Sequence, residues 1–121
     1  MAAYEVTQPR PDVVRVAFMS DWEARRHSEK MFREVLARLD SAEAEVTLLI
    51  VAGPHRPVYE DKALQPARGI LYHDNIKKMI VVADQASLAV AHMNATRAER
   101  GMPPIPMFAF GSEGEALAEL L

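Results

Sequence analysis

The residues best suited to chemistry lie in the loop after the apolar run Val46–Val51. A histidine within reach of a carboxylate forms the basis of a small catalytic site, and an arginine can hold a carboxylate or phosphate through two parallel hydrogen bonds. Ligands of open α/β sheets collect at the carboxyl ends of strands. This loop is therefore the candidate ligand-binding site, and its residues are His55, Arg56, Tyr59 and Asp61. The alternative is that Pro54 and Pro57 shape a surface loop whose polar side chains face water.

Other signatures of chemistry are missing from the sequence. The four histidines have no close metal-ligand spacing and no Glu-x-x-His motif; they are His27, His55, His73 and His92. There is no cysteine, which excludes disulfides, thiolate metal sites and cysteine nucleophiles. Nucleophile-elbow, Walker and dinucleotide-binding glycine patterns do not occur. We therefore expect no metal and no cofactor.

Strands and helices must alternate to position the candidate loop. A short first strand, Tyr4–Thr7, is followed by turn chemistry at Gln8–Asp12 and should form an antiparallel hairpin with the second strand. The remaining predicted strands are apolar or β-branched runs. All four later strands are Val13–Phe18, Val46–Val51, Lys77–Ala83 and Ile105–Phe110.

Four helices are expected between and after these strands. Ser20 and Glu23 form a capping-box pattern that should open a helix running to Leu39, and Ser112 and Glu115 repeat the pattern before the terminal helix. The other two helices are an irregular one in Asp61–Tyr72 and one spanning Gln85–Arg100. The resulting order, β-β-α-β-α-β-α-β-α, predicts an α/β fold with a mostly parallel mixed sheet of five strands packed by helices.

Two stretches give the chain a family resemblance. His73–Asp84 joins a histidine, a polar link, two lysines, a buried strand and a closing acid, and Met107–Phe110 leads through an acidic turn into an Ala/Leu-rich helix. Together with the element order, these stretches resemble the SpoIIAA-like proteins, small bacterial proteins with a STAS-type fold. The resemblance implies one SpoIIAA-like domain over residues 1–121. Classical members of the STAS class carry a phosphorylatable serine after the strand equivalent to Val46–Val51, but Gly53–Asp61 contains no serine, so that phospho-switch is not implied.

Composition limits the partners and the location. The 121 residues form one domain, and the net charge of −3 gives no general attraction to nucleic acid. The N-terminus lacks the pattern of a signal peptide, and no apolar run approaches the roughly 18 residues of a membrane span. We therefore expect a cytoplasmic protein with no nucleic-acid partner and no membrane span.

The apolar pattern of the central strands predicts a second subunit. If the strand order follows the chain, right-handed crossovers place successive helices on one face of the sheet. Both faces of Val46–Val51 and of Met79–Ala83 are nevertheless apolar. Exposing such a face would cost roughly 25 cal/mol per Å², so one of the helices or another subunit must cover it. We predict a homodimer.

Two functions from different classes remain open. The first is a non-catalytic STAS-like binding or regulatory module that binds a protein partner or a small apolar ligand. Its contact surface would consist of the open sheet face, the loop Gly53–Asp61 and the small-residue helix Gln85–Arg100. The alternative is a small enzyme or metabolite-binding protein that uses the loop with His55, Arg56 and Asp61.

Overall fold

The computed structural model describes residues 3–53, 70, 73–84 and 86–120. Within these residues the chain is an α/β protein with the five strands that the sequence predicts and three of the four predicted helices. The strands are β1 (Tyr4–Arg10), β2 (Val13–Phe18), β3 (Val46–Gly53), β4 (Ile76–Ala83) and β5 (Met107–Phe110). The helices are α1 (Ala24–Ser41), α2 (Ala86–Glu99) and α3 (Glu113–Leu120). The irregular helix predicted for residues 61–72 lies outside the described residues, apart from Ile70, which is buried.

One mixed sheet contains all five strands in the order β1-β2-β3-β4-β5. β1 and β2 are antiparallel, and every later neighbour is parallel. β3 and β4 lie inside the sheet, which accounts for their nearly continuous apolar sequences. The predicted mixed, mostly parallel sheet of five strands is confirmed, and its strand order follows the chain.

The first strand is longer than the sequence predicts. β1 continues through Pro9 to Arg10, so the predicted turn shrinks to Pro11 and Asp12. Proline is tolerated here because β1 is an edge strand and its outer side needs no ladder donor. The pairing with β2 shifts register between Thr7 and Arg10, which accommodates the proline.

The larger core lies on one face of the sheet, beneath α1 and α2. Side chains of both helices share this core, as the usual right-handed crossovers of parallel strands predict. Each large side chain buried here stabilises the fold by about 1.5–3 kcal/mol. The core includes Val14, Val16, Met31, Val35, Leu39, Leu48, Met79, Val81, Ala86 and Met93.

The opposite face is covered by α3 near β4 and β5. Its core contains Leu49, Ile80, Val82 and Ala116. The three sheet residues are at most 4% exposed in a single chain. The homodimer prediction took a second subunit as the cover of this face. In the described residues a helix of the same chain covers its centre, so they give that prediction no support.

The two capping-box predictions have different outcomes. α1 begins at Ala24, with Glu23 as N-cap and no side-chain capping bond, so the predicted Ser20 cap is wrong. The chain first turns, with the Trp22 N–H bonded to the Met19 carbonyl oxygen. At α3 the Ser112 hydroxyl does accept the Glu115 N–H, at 3.3 Å. No helix in the described part of the chain is long and apolar enough to cross a bilayer.

Candidate functional site

The loop predicted as the ligand site lies outside the described residues. This applies to all four of its candidate residues, His55, Arg56, Tyr59 and Asp61. The strand that leads into the loop is placed as expected, because β3 is central and ends at Gly53 beside Ala83 of β4. The loop and the enzyme hypothesis built on it remain predictions.

His73 belongs to a joint between α1 and β4. Its Nε2 lies 2.6 Å from Asp40 Oδ1, and its Nδ1 accepts the Asn75 N–H at 3.1 Å. The Asn75 amide donates to the carbonyl oxygens of Leu39 at 2.9 Å and Ala42 at 3.4 Å. His73 lies just before the amino end of β4 and helps to tie that strand to a helix. That helix is α1, and the bonds are those of a structural joint.

An open cleft of about 850 Å³ lies between β1 and the first half of α1. A pocket of this size can accept part of a protein partner or a small molecule. The cleft combines aromatic, cationic and anionic side chains, which distinguishes it from a simple apolar groove. Its lining residues include Tyr4, Asp21, Trp22, Glu23, Arg26, His27, Lys30 and Glu34.

Stacked aromatic rings form one wall of the cleft. Hairpin register places Tyr4 opposite Phe18, and the turn after β2 brings Trp22 back onto both rings. Trp22 stacks on Phe18 with centroids 4.5 Å apart and planes 6° apart, and Tyr4 meets it edge-on at 6.0 Å. Such pairs contribute about 0.5–1.5 kcal/mol each beyond the area they bury. The wall is therefore preorganised.

Two polar bonds fix the groups beside this wall. The Tyr4 hydroxyl donates to Glu34 Oε1 at 3.1 Å. Burial raises the pKa of the Tyr4 phenol, and the bond to Glu34 raises it further, so the phenol stays protonated. The Glu23 N–H donates to His27 Nδ1 at 3.0 Å. A neutral His27 therefore carries its proton on Nε2, where it can donate to a ligand.

The rim of the cleft carries charges of both signs. Arg26 and Lys30 are exposed and lie one helical turn apart on α1. Asp21 and Glu23 supply carboxylates near the start of the helix. Within the residues the structure describes, no cluster of histidines and carboxylates could hold a metal ion. The cleft is therefore suited to hydrogen-bonding and ionic recognition beside an aromatic surface.

Sequence reasoning missed this cleft for a traceable reason. A run of charged residues along a helix normally indicates a solvated face, and Trp22 lies inside a capping-box pattern. The available signal was the hairpin, because antiparallel pairing of the first two strands places Tyr4 near Phe18. Nothing local in the sequence indicates that Trp22 folds back onto this pair.

A second group of charges surrounds α3 on the opposite face of the sheet. Arg15 donates to both carboxylate oxygens of Glu113, through Nε at 3.1 Å and Nη2 at 2.9 Å, and its Nη1 lies 3.5 Å from Glu5 Oε2. The bond from Arg15 lowers the pKa of Glu113, against the opposing effect of burial. At the other end of α3, Lys78 Nζ donates to the Glu119 carbonyl oxygen at 3.2 Å. Both ends of the helix are thus held by cations.

The predicted contact helix presents a small-residue face to solvent. α2 buries Ala86, Met93 and Arg97 against the rest of the fold. The Arg97 guanidinium donates to the Pro103 carbonyl oxygen at 2.9 Å, which fixes the connection to β5. Leu88 is 66% exposed near the N-terminal end of the helix. A lone exposed leucine among small side chains does not by itself define a binding site.

Comparison with known proteins adds no relative. No family model matches the chain, and neither the curated proteins nor the solved structures gave a significant match. Function must therefore be inferred from the geometry of the chain itself.

Proposed function

We propose that this chain is a non-catalytic binding module of the SpoIIAA-like, STAS-type group, and that the cleft between β1 and α1 contacts its partner. The observation that carries the proposal is the preorganised aromatic wall beside two exposed cations. Trp22 is held by Phe18 and Tyr4, while Arg26 and Lys30 border the same cleft. The element order and the stretches 73–84 and 107–120 support the family assignment.

The lining favours a segment of a protein partner over a small apolar ligand. An apolar ligand would desolvate the Glu34 carboxylate and the polar atoms of His27 without pairing them, and this carries a free-energy cost. A peptide can offer backbone donors and acceptors, charged ends and an apolar side chain together. We therefore propose an extended peptide that places an apolar or aromatic side chain against Trp22 and a carboxylate near Arg26 and Lys30.

Trp22 gives a direct test because it is the only tryptophan in the chain. Short synthetic peptides that combine one aromatic residue with zero, one or two carboxylates would be titrated while Trp22 emission is recorded. We expect the acidic aromatic peptides to shift the emission, and Arg26→Gln with Lys30→Gln to weaken their binding about tenfold. Two rim hydrogen bonds to a charged group account for a loss of this size.

Arg33→Gln is the matched control. Arg33 lies on the same helix, is largely exposed and pairs with Glu29 outside the cleft. Binding should be unchanged in this variant. Equal losses in the control and the rim variants, or no response of Trp22 to any acidic aromatic peptide, would rule out this use of the cleft.

The homodimer and the bacterial, cytoplasmic setting belong to the same proposal. Because α3 covers the centre of the second face, that face no longer argues for a dimer, and the exposed face of α2 around Leu88 is another surface for self-association. Light scattering at micromolar concentration tests the subunit count. A monomeric mass would remove the dimer and leave the cleft proposal intact.

A further inference from the structure

Few described side chains anchor the terminal helix α3. The helix has eight residues and includes Gly114. Of its described side chains, only Ala116 is buried, and Leu117 is 46% exposed. Isolated helices of this length are marginal in water, and an interior glycine weakens them further. α3 is therefore held mainly by what lies beneath it and at its two ends.

Those two ends are held by basic side chains of the sheet. Arg15 of β2 bonds the Glu113 carboxylate, and Lys78 of β4 bonds the Glu119 carbonyl oxygen. Lys78 Nζ also lies 6.0 Å from the centre of the Phe108 ring. The helix sequence, Glu-Gly-Glu-Ala-Leu-Ala-Glu-Leu, is acidic and has no cation. The charge of the face and the charge of its cover are complementary.

The apolar face beneath α3 extends beyond the area that the described residues of this helix cover. Residues paired across β3, β4 and β5 form two adjacent rows. These residues are Leu49, Ile80 and Phe108 in one row and Val51, Val82 and Phe110 in the other. Phe108 and Phe110 remain partly exposed, so a longer helix would find additional apolar contact there. The larger core beneath α1 and α2 contains no described side chain of α3, so detachment of these side chains leaves that core closed.

We propose that α3 is a displaceable cover, and that an acidic amphipathic helix of a protein partner takes its place on the face between Arg15 and Lys78. Charge complementarity selects the occupant, because a basic helix would be repelled at both ends. This site lies on the opposite face of the sheet from α1, which borders the cleft. The two proposals therefore rest on different residues and can fail separately.

Two substitutions that break the same ion pair should have different effects on the affinity for the partner helix. The probe is a fluorescein-labelled peptide of about 18 residues that repeats the Glu-Ala-Leu-Ala-Glu-Leu pattern, a length at which helices form. Glu113→Gln in the full chain loosens α3 but leaves Arg15 available, so the probe should bind three- to fivefold more tightly. Arg15→Gln also breaks the ion pair and loosens α3, but it removes the cation that the probe needs, so affinity should not rise. The same peptide with lysine at each glutamate is the charge control.

Hydrogen exchange of the wild-type chain gives a second measurement that does not depend on the variants folding. Amides of α3 should exchange through local opening, well before those of β4. Equal gains in both variants, a gain with the lysine peptide, or no gain in Glu113→Gln would overturn the partner site. Exchange of α3 only through global unfolding would show that it is a fixed part of the fold.

Discussion

The Arg15–Glu113 pair should stabilise the fold measurably, although it is not fully buried. The guanidinium and carboxylate share two bonds of 2.9 and 3.1 Å, and their side chains are 23% and 34% exposed. Glu5 lies 3.5 Å from the same arginine. Replacing both residues singly and together with glutamine, in a double-mutant cycle, isolates the coupling free energy of the pair.

The expected coupling is about 1 kcal/mol. Coulomb attraction at about 4 Å and an effective dielectric constant near 20 would supply about 4 kcal/mol. Partial solvent screening, side-chain entropy and the desolvation of both ions remove most of this, as they do for other partly exposed pairs. Because the pair is bidentate, we expect its coupling free energy to lie at the upper end of the range for exposed ion pairs. Loss of Glu113 alone is further moderated because Glu5 still faces Arg15.

The coupling should disappear in acid. The bond from Arg15 lowers the pKa of Glu113 in the folded chain relative to the unfolded chain. The stabilisation is therefore complete above the unfolded pKa of about 4.3 and is lost as pH falls through the folded value. Glu5 also faces Arg15 and Lys78 holds the far end of α3, so both contribute to the local field. Arg15 stays charged throughout, because the same pair raises its pKa.

Urea unfolding of the four proteins at pH 7 and pH 3 provides the assay. The matched control is a second cycle on Arg33 and Glu29, a helix pair with side chains 73% and 64% exposed. That pair should couple by only about 0.3–0.5 kcal/mol. If the Arg15 cycle gives no more than the control, or keeps its full value at pH 3, the bonds from Arg15 do not hold α3 as described.

Five further substitutions test the scaffold by chemical denaturation. Met79→Ala should cost about 2–5 kcal/mol because it opens a cavity in the larger core, and a loss below 1 kcal/mol would contradict the packing. Asn75→Ala should cost about 1–2 kcal/mol because two backbone carbonyls at the end of α1 lose their donor, whereas Asn94→Ala on an exposed helix face should be neutral. Gly101→Ala should destabilise the fold by about 1 kcal/mol because the φ of Gly101 is +69°. Gly114→Ala should stabilise it by about 0.5 kcal/mol, because Gly114 has no positive φ and a Cβ there meets open space. Effects of equal sign would contradict the described backbone.

The α/β class and the mixed sheet could be predicted because they depend on patterns that the core enforces. Nearly continuous apolar runs in β3 and β4 required cover on both faces, which only interior strands receive. Boundaries were less predictable because they depend on neighbours. Pro9 suggests a turn, but an edge strand accommodates it, and β1 therefore runs on to Arg10.

The two capping boxes show the same limit in a local motif. Ser112 caps α3, but Ser20 does not cap α1 although the spacing is identical. The difference is Trp22, whose ring packs on Phe18 and Tyr4 and draws the chain into a turn before the helix starts. That packing also builds the cleft, so one tertiary contact explains both the wrong cap and the missed candidate site.

The homodimer prediction and the displaceable cover arise from the same observation, an apolar second face that needs cover. The apolar pattern of the strands indicates that this face must be covered, but it does not identify the element that covers it. A tethered helix competes at an effective concentration of order millimolar, so it favours the closed monomer even when its own contacts are weak. Suppose that the closed state of α3 is about ten times more populated than the open state. A partner helix that binds the bare face with a Kd of about 1 μM would then show an apparent Kd of about 10 μM. Loss of about 1 kcal/mol from the Arg15–Glu113 pair shifts closure about fivefold, which sets the upper limit on the affinity gain expected for Glu113→Gln.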